Sequence, residues 1–250
     1  IPLYFELDGT FPNHEANPID AENVKDLQKA VKKHKADIGL AFDGDADRCF
    51  LIDEKGTIVT PSTLTGLIAV RELKRKPGSS IIYNLISSKA VPEVVQENGG
   101  TAIRSRVGHS FIKAMMAETG AIFGGEHSGH FYFADFWKAD SGMLAALFAL
   151  AELSSSDQVL SDLLAPYNRY VVSGEINTKV KDTEQSLNVI RESFKIDYRI
   201  DELDGVTVTA DEWWFNVRPS NTEPLLRLNV EADNKATMEK VRDKVLSLIK

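Results

Sequence analysis

Three carboxylates recur at alternate positions in Asp43-Gly44-Asp45-Ala46-Asp47-Arg48. Asp43, Asp45 and Asp47 can converge on one hard cation, because the small spacers Gly44 and Ala46 let the loop curl without side-chain clashes. Ligands that are all oxygen suit Mg2+, Mn2+ or Ca2+ rather than zinc or copper. Arg48 would face an anion sharing that metal. The alternative is an acidic, solvated turn, but the loop follows a buried-looking apolar run at 38–42, which favours a metal site. A calcium loop would need glycine where Arg48 stands.

A second candidate is Gly124-Gly125-Glu126-His127-Ser128-Gly129-His130. Its glycines let backbone approach a ligand closely. Glu126 and Ser128 can accept from and donate to sugar hydroxyls, and His130 could move a proton near neutral pH. A flexible turn with a structural histidine is the competing reading. The third candidate, Arg218-Pro219-Ser220-Asn221-Thr222-Glu223-Pro224, places an arginine, two hydroxyls and an amide within five residues. Prolines stiffen it on both sides, so it makes a compact phosphate cradle; taken alone it could equally be a polar surface loop. Pro219 argues against a regular central strand there. Two single residues complete the set. Lys89 follows an apparent strand, and His109 in Gly108-His109-Ser110 opens a helix, where an anion is favoured.

The elements that must hold these loops change character along the chain. Asp20 is a plausible cap for a helix over 20–34, and Ile38 to Phe42 reads as a buried strand ending at the acidic loop. Cys49–Ile52 and Thr57–Val59 flank a hairpin turn. From 58 to 167 helices and strands alternate, with strands at 81–83, 101–103 and 121–123 and an apolar helix at about 140–153. That alternation predicts a mixed, mainly parallel α/β sheet covered on both faces. Ser154 to Asp157 and Pro166 break the pattern, which marks 154–168 as a hinge. Beyond it, strands dominate and two helices remain, a C-terminal α+β domain with an antiparallel sheet and helices on one face. The expected domains are therefore 1–57, 58–167 and 168–250.

Composition narrows the function class. Over 250 residues, 43% hydrophobic and 26% charged residues are ordinary for a globular protein. The net charge of −8 argues against nucleic acid as a partner but not against a small anion held by local donors. No apolar run reaches the roughly 18 residues of a membrane span. Cys49 is the single cysteine, which excludes an intrachain disulfide and favours a reducing, cytoplasmic setting.

In this order, the three loops resemble those of the α-D-phosphohexomutase family, in its phosphomannomutase/phosphoglucomutase branch. The resemblance covers essentially the whole chain and includes the segment Phe11-Pro12-Asn13-His14-Glu15-Ala16-Asn17-Pro18, read as structural. It implies the end of domain 2, then domains 3 and 4, of a four-domain isomerase (an intramolecular phosphotransferase). Such an enzyme interconverts hexose 6-phosphate and 1-phosphate through a phosphoserine and a hexose 1,6-bisphosphate, with mannose and glucose phosphates as substrates. By that resemblance Asp43, Asp45 and Asp47 bind Mg2+, and Arg48 sits beside the moving phosphoryl group. Glu126, His127, Ser128 and Gly129 belong to the sugar-recognition loop. Arg218, Pro219, Ser220, Asn221 and Thr222 hold the non-reacting phosphate. Lys89, His109 and His130 are the remaining catalytic candidates. The family's Thr-x-Ser-His-Asn-Pro loop does not occur in the sequence, so the nucleophile is expected on preceding domains of the same enzyme, and the fragment alone is expected to be inactive. Two alternatives stand beside this reading. One is a haloacid-dehalogenase-like phosphatase, with Asp43 as nucleophile. The other is a non-catalytic sugar-phosphate-binding fragment.

Overall fold

Ile38, Leu40 and Phe42 set against Cys49 to Ile52 build the hairpin that carries the acidic loop. In the computed structural model, which describes residues 1–220 and 224–249, β1 (Ile38–Phe42) pairs antiparallel with β2 (Cys49–Asp53). Strand β3 (Ile58–Val59) returns beside β2 through the turn at 54–57. The preceding helix starts later than its sequence suggests. Asp20 does cap, accepting from the Glu22 amide, but the first turn at Ala21–Val24 is a tight 3-10 turn before α1 (Lys25–His34).

Thr60 caps α2 (Pro61–Arg75), accepting from the Thr63 amide, with Pro61 where a missing N–H costs nothing. This helix is buried along nearly its whole length, which explains why Ser62, Thr63, Thr65 and Glu72 are buried beside Leu64, Leu67 and Ile68. Its partner is α5 (Gly142–Ser154), whose Ala145, Ala146 and Ala149 allow close packing in the same core. Cys49 and Leu51 of the hairpin and Phe123, Phe131 and Phe133 join that core. The expected division near 57 thus separates two sheets that share one core, within a compact unit of residues 1–168.

The second sheet runs in the order β5-β4-β6-β7-β8, with β4 (Ser80–Asn84), β5 (Thr101–Ser105), β6 (Phe123–Gly125), β7 (Phe131–Phe133) and β8 (Ala139–Asp140). The pairings of β4 with β5 and β6 are parallel, and α3 (Ala90–Glu97) and α4 (His109–Thr119) make the crossovers. The other two pairings are antiparallel, so the sheet is mixed. The strand expected at 121–123 begins at Phe123, because register with β4 starts at Ile81. The segment read as a hinge from 154 is docked instead: α6 (Leu160–Leu164) buries Leu160 and Leu164 in the first core, and Tyr167 packs against it. An i, i+4 pair of leucines is the reason, and the compact unit ends at Asn168.

Residues 169–250 form the second unit. Its sheet is antiparallel throughout, in the order β10-β11-β12-β13-β9, from β9 (Val171–Lys179), β10 (Arg199–Asp201), β11 (Val206–Thr209), β12 (Trp213–Pro219) and β13 (Leu225–Ala232). Helices α7 (Thr183–Phe194) and α8 (Lys235–Leu248) bring Leu187, Ile190, Phe194, Met238, Val241 and Val245 onto Phe215, Val217, Leu226, Leu228 and Val230. Those strand residues alternate, so they share one face. Pro219 does lie in a central strand, contrary to the sequence reading. It is tolerated because it is the last residue of β12: pairing with β11 ends at Val217, so Pro219 faces only Leu226 of β13. Among the described residues, no helix is long and apolar enough to cross a membrane.

Candidate functional site

Loops after β4, β5 and β6 leave the carboxyl ends of the parallel strands, where open α/β sheets place their ligands. Two hairpin loops meet at that edge. Residues 43–48 join β1 to β2, and residues 126–130 join β6 to β7. An antiparallel bridge between Arg48 and His130, with the Cys49 amide donating to the Gly129 carbonyl at 3.1 Å, ties the two loops through their backbones.

The acidic loop is curled as its small residues allow. Ala46 takes a positive φ of 59°, and its amide donates back to the Asp43 carbonyl at 3.3 Å. Oxygens of Asp43, Asp45 and Asp47 lie within 4.8 Å of one another. Arg48 serves the loop from inside. Its amide donates to Asp43 Oδ1 at 3.0 Å, its Nε to Asp43 Oδ2 at 2.6 Å, and its Nη1 to Asn17 Oδ1 at 3.0 Å. Burial of Asp43 opposes its charge, but these Arg48 bonds outweigh it and hold the carboxyl below the usual range. Asp47 moves the other way, pushed up by burial and by Asp43, with His130 opposing. Asp47 Oδ1 is buried without a hydrogen-bond partner. An orphaned carboxylate oxygen, raised by its neighbours and within reach of two more carboxylates, fits a hard divalent cation. Such a charge would reverse the upward push on Asp47.

Glu126 is the most tightly held group of the second loop, at 2% exposure. Its Oε1 accepts from the Gly108 amide at 3.0 Å and Asn84 Nδ2 at 3.5 Å, and its Oε2 accepts from the Tyr132 hydroxyl at 2.6 Å. Burial, then Glu126 itself, pushes the Tyr132 phenol up, so it stays a donor. Ser128 Oγ lies 2.7 Å from His130 Nδ1, and His130 Nε2 lies 3.6 Å from Asp47 Oδ2. His127 is half-buried beside them. Gly129 has φ +90°, and a Cβ there would fall 2.5 Å from the Phe50 ring, so any side chain there is strained.

The single-residue candidates lie on loops whose other residues touch this site. The Gly108 amide that binds Glu126 directly precedes His109, which is exposed at the start of α4. Lys89, half-buried, ends the β4–α3 connection that begins at Asn84. Asp140 escaped the sequence reading. It lies within 4.8 Å of Asp47 and His130 and pairs with Lys113 Nζ at 2.8 Å. Gly142 escaped it too. Its amide donates to the Ala46 carbonyl at 3.1 Å, and a Cβ would lie 2.4 Å from the Arg48 carbonyl oxygen. An Asp-Ser-Gly run opening an apolar helix was the available signal.

In the second unit, Arg218 and Pro219 end β12 and Ser220 follows; Asn221 and Thr222 lie outside the described residues. Arg218 is 8% exposed, and burial pushes its guanidinium down while Glu175 pulls it up.

Family sequence models match along the chain: phosphoglucomutase/phosphomannomutase alpha/beta/alpha domain II over residues 1–56, alpha/beta/alpha domain III over 60–170, and the C-terminal domain over 175–248. A phosphomannomutase of Methanocaldococcus jannaschii is 45% identical over 242 residues, covering 97% of this chain and 54% of that protein. A phosphomannomutase of Escherichia coli K12 is 41% identical over 98% of this chain and 54% of its own length. A crystal structure of a phosphoglucomutase/phosphomannomutase family protein from Burkholderia thailandensis superposes with a TM-score of 0.90 at 32% identity, over 100% of this chain and 54% of that one. The chain belongs to the phosphoglucomutase/phosphomannomutase family, the α-D-phosphohexomutases. It spans about half the length of the curated relatives it matches.

Proposed function

We propose that these residues are the metal-, sugar- and phosphate-binding half of a phosphomannomutase/phosphoglucomutase, an isomerase that interconverts hexose 6-phosphate and hexose 1-phosphate. The observation that carries the reading is the backbone bridge from Arg48 to His130, which sets the carboxylate cluster beside the Glu126–His130 loop. Within it, 1–57 is the end of domain 2, 58–167 is domain 3 and 168–250 is domain 4.

Asp43, Asp45 and Asp47 would hold Mg2+, whose chemistry is to neutralise charge on a transferring phosphoryl group. Arg48, locked by Asp43 and Asn17, adds a fixed positive charge at the same place. Glu126 is pinned by three donors, so its remaining lone pair can accept a sugar hydroxyl without the carboxylate moving. Ser128 orients His130 through Nδ1, which leaves Nε2 to take or return a hydroxyl proton. Lys89 and His109 approach on neighbouring loops, and Arg218, Ser220, Asn221 and Thr222 bind the phosphate that does not react. A serine nucleophile outside these residues would complete the cycle through a hexose 1,6-bisphosphate, since the Thr-x-Ser-His-Asn-Pro loop is absent from the sequence. A phosphatase using Asp43 as nucleophile is disfavoured by sequence, because Asp47 stands where an Asp-x-Asp-x-Thr loop would have its threonine.

Phosphorus NMR of mannose 1-phosphate tests the proposal. The chain supplied with its preceding, serine-bearing domains should form mannose 6-phosphate, and Mg2+ removal should stop it. Release of free phosphate instead would make the protein a phosphatase.

A further inference from the structure

Arg218 and Arg227 stand directly opposite each other on β12 and β13, on the sheet face turned away from α7 and α8. Like charges in that position repel, and Arg218 is also almost fully buried. A single carboxylate separates them. Glu175 of β9 gives Oε2 to Arg218 Nη2 at 3.0 Å and Oε1 to Arg227 Nη1 at 2.9 Å. Arg227 Nη2 in turn donates to Ser220 Oγ at 3.3 Å. Two guanidiniums share the Glu175 carboxylate, Asp204 is a further negative charge acting on Arg218, and the buried Nε atoms of both arginines have no hydrogen-bond partner. Arg218 is buried while Arg227 and Glu175 stay partly exposed, so the cluster is reachable from solvent. Two guanidiniums side by side suit an anion.

We propose that Glu175 is a positioning residue for the phosphate monoester: it spans the two arginines and thereby fixes Arg218 directly and Ser220 through Arg227. The proposal rests on the reading of Arg218 and Ser220 as phosphate-binding residues. It adds that the Glu175 charge assists binding rather than opposing it. A bystander counter-ion would do the reverse, since its loss would leave the site more positive.

Calorimetric titration with glucose 1-phosphate separates these cases on three proteins, with thermal melting alongside. Glu175→Gln keeps the reach and loses the charge; Glu175→Asp keeps the charge and is too short to span both arginines. Both should bind at least tenfold more weakly than the unaltered chain, with melting temperatures little changed. Because Glu175→Asp preserves the charge balance, it carries the test if the glutamine variant does not fold. Affinity unchanged in Glu175→Asp, or unchanged or raised in Glu175→Gln, overturns the positioning role while leaving the phosphate loop intact. If the unaltered chain binds no glucose 1-phosphate, the phosphate-loop reading fails and the role of Glu175 falls with it.

Discussion

The two units treat charge in opposite ways. At the hairpin edge of the first unit, carboxylates outnumber cations: Asp43, Asp45, Asp47, Glu126 and Asp140 face Arg48 and Lys113. On the polar sheet face of the second unit, Arg218 and Arg227 share one glutamate. The supports differ as well. The acidic site is assembled by backbone, through the Arg48–His130 bridge and the Gly108, Cys49 and Gly142 amides. The basic site is assembled by side chains on a flat ladder. A cation needs several oxygens fixed on one point, and backbone-tied loops give that rigidity. A phosphate presented by either end of a hexose tolerates donors on longer side chains. The acidic site thus carries a surplus that its proposed cation would cancel, and the basic site pairs two guanidiniums that suit an anion.

The largest effect should come from Glu126. In Glu126→Ala the buried Gly108 amide and Tyr132 hydroxyl lose their acceptor, and urea unfolding should show a loss of about 3 kcal/mol or more. An unchanged midpoint would mean that the acidic site is not held together through this group. Next, Gly129→Ala should cost about 2 kcal/mol, because it strains a positive φ and drives a methyl into Phe50. Thermal melting reads this directly, and a neutral result would show that the loop can relax. Asp45→Asn should behave differently. Asp45 is exposed, so stability should hold while Mg2+ affinity measured by calorimetry falls about tenfold. Loss of folding instead would reassign Asp45 from metal to structure. The smallest effect concerns Cys49, whose thiol burial pushes up to about 12. It should not react with a disulfide reagent at pH 8 until the chain is unfolded.

Much of the first unit was legible because its elements announce themselves locally. The apolar run at 38–42 and the Asp20 helix cap depend on neighbours in sequence. The acidic and Glu126 loops could be named from residue types at close spacing. Their conjunction could not, since it rests on pairing between residues 48 and 130. Asp140 and Gly142 were missed for the same reason: their partners Asp47 and Ala46 lie far along the chain. In the second unit, Glu175 and Arg227 carry no local signal that singles them out. Only the β12-β13-β9 order brings them onto Arg218. Pro219 misled because a strand's interior and its last residue look alike in sequence.

We propose that these residues bind a hexose phosphate and do not turn it over without a serine nucleophile. Glucose 1-phosphate titrated into the chain with and without Mg2+, followed by phosphorus NMR, tests it most directly. Saturable binding that tightens with Mg2+, and no glucose 6-phosphate after prolonged incubation, is the expected result. Conversion to glucose 6-phosphate by these residues alone, or no binding at millimolar sugar phosphate, would contradict it.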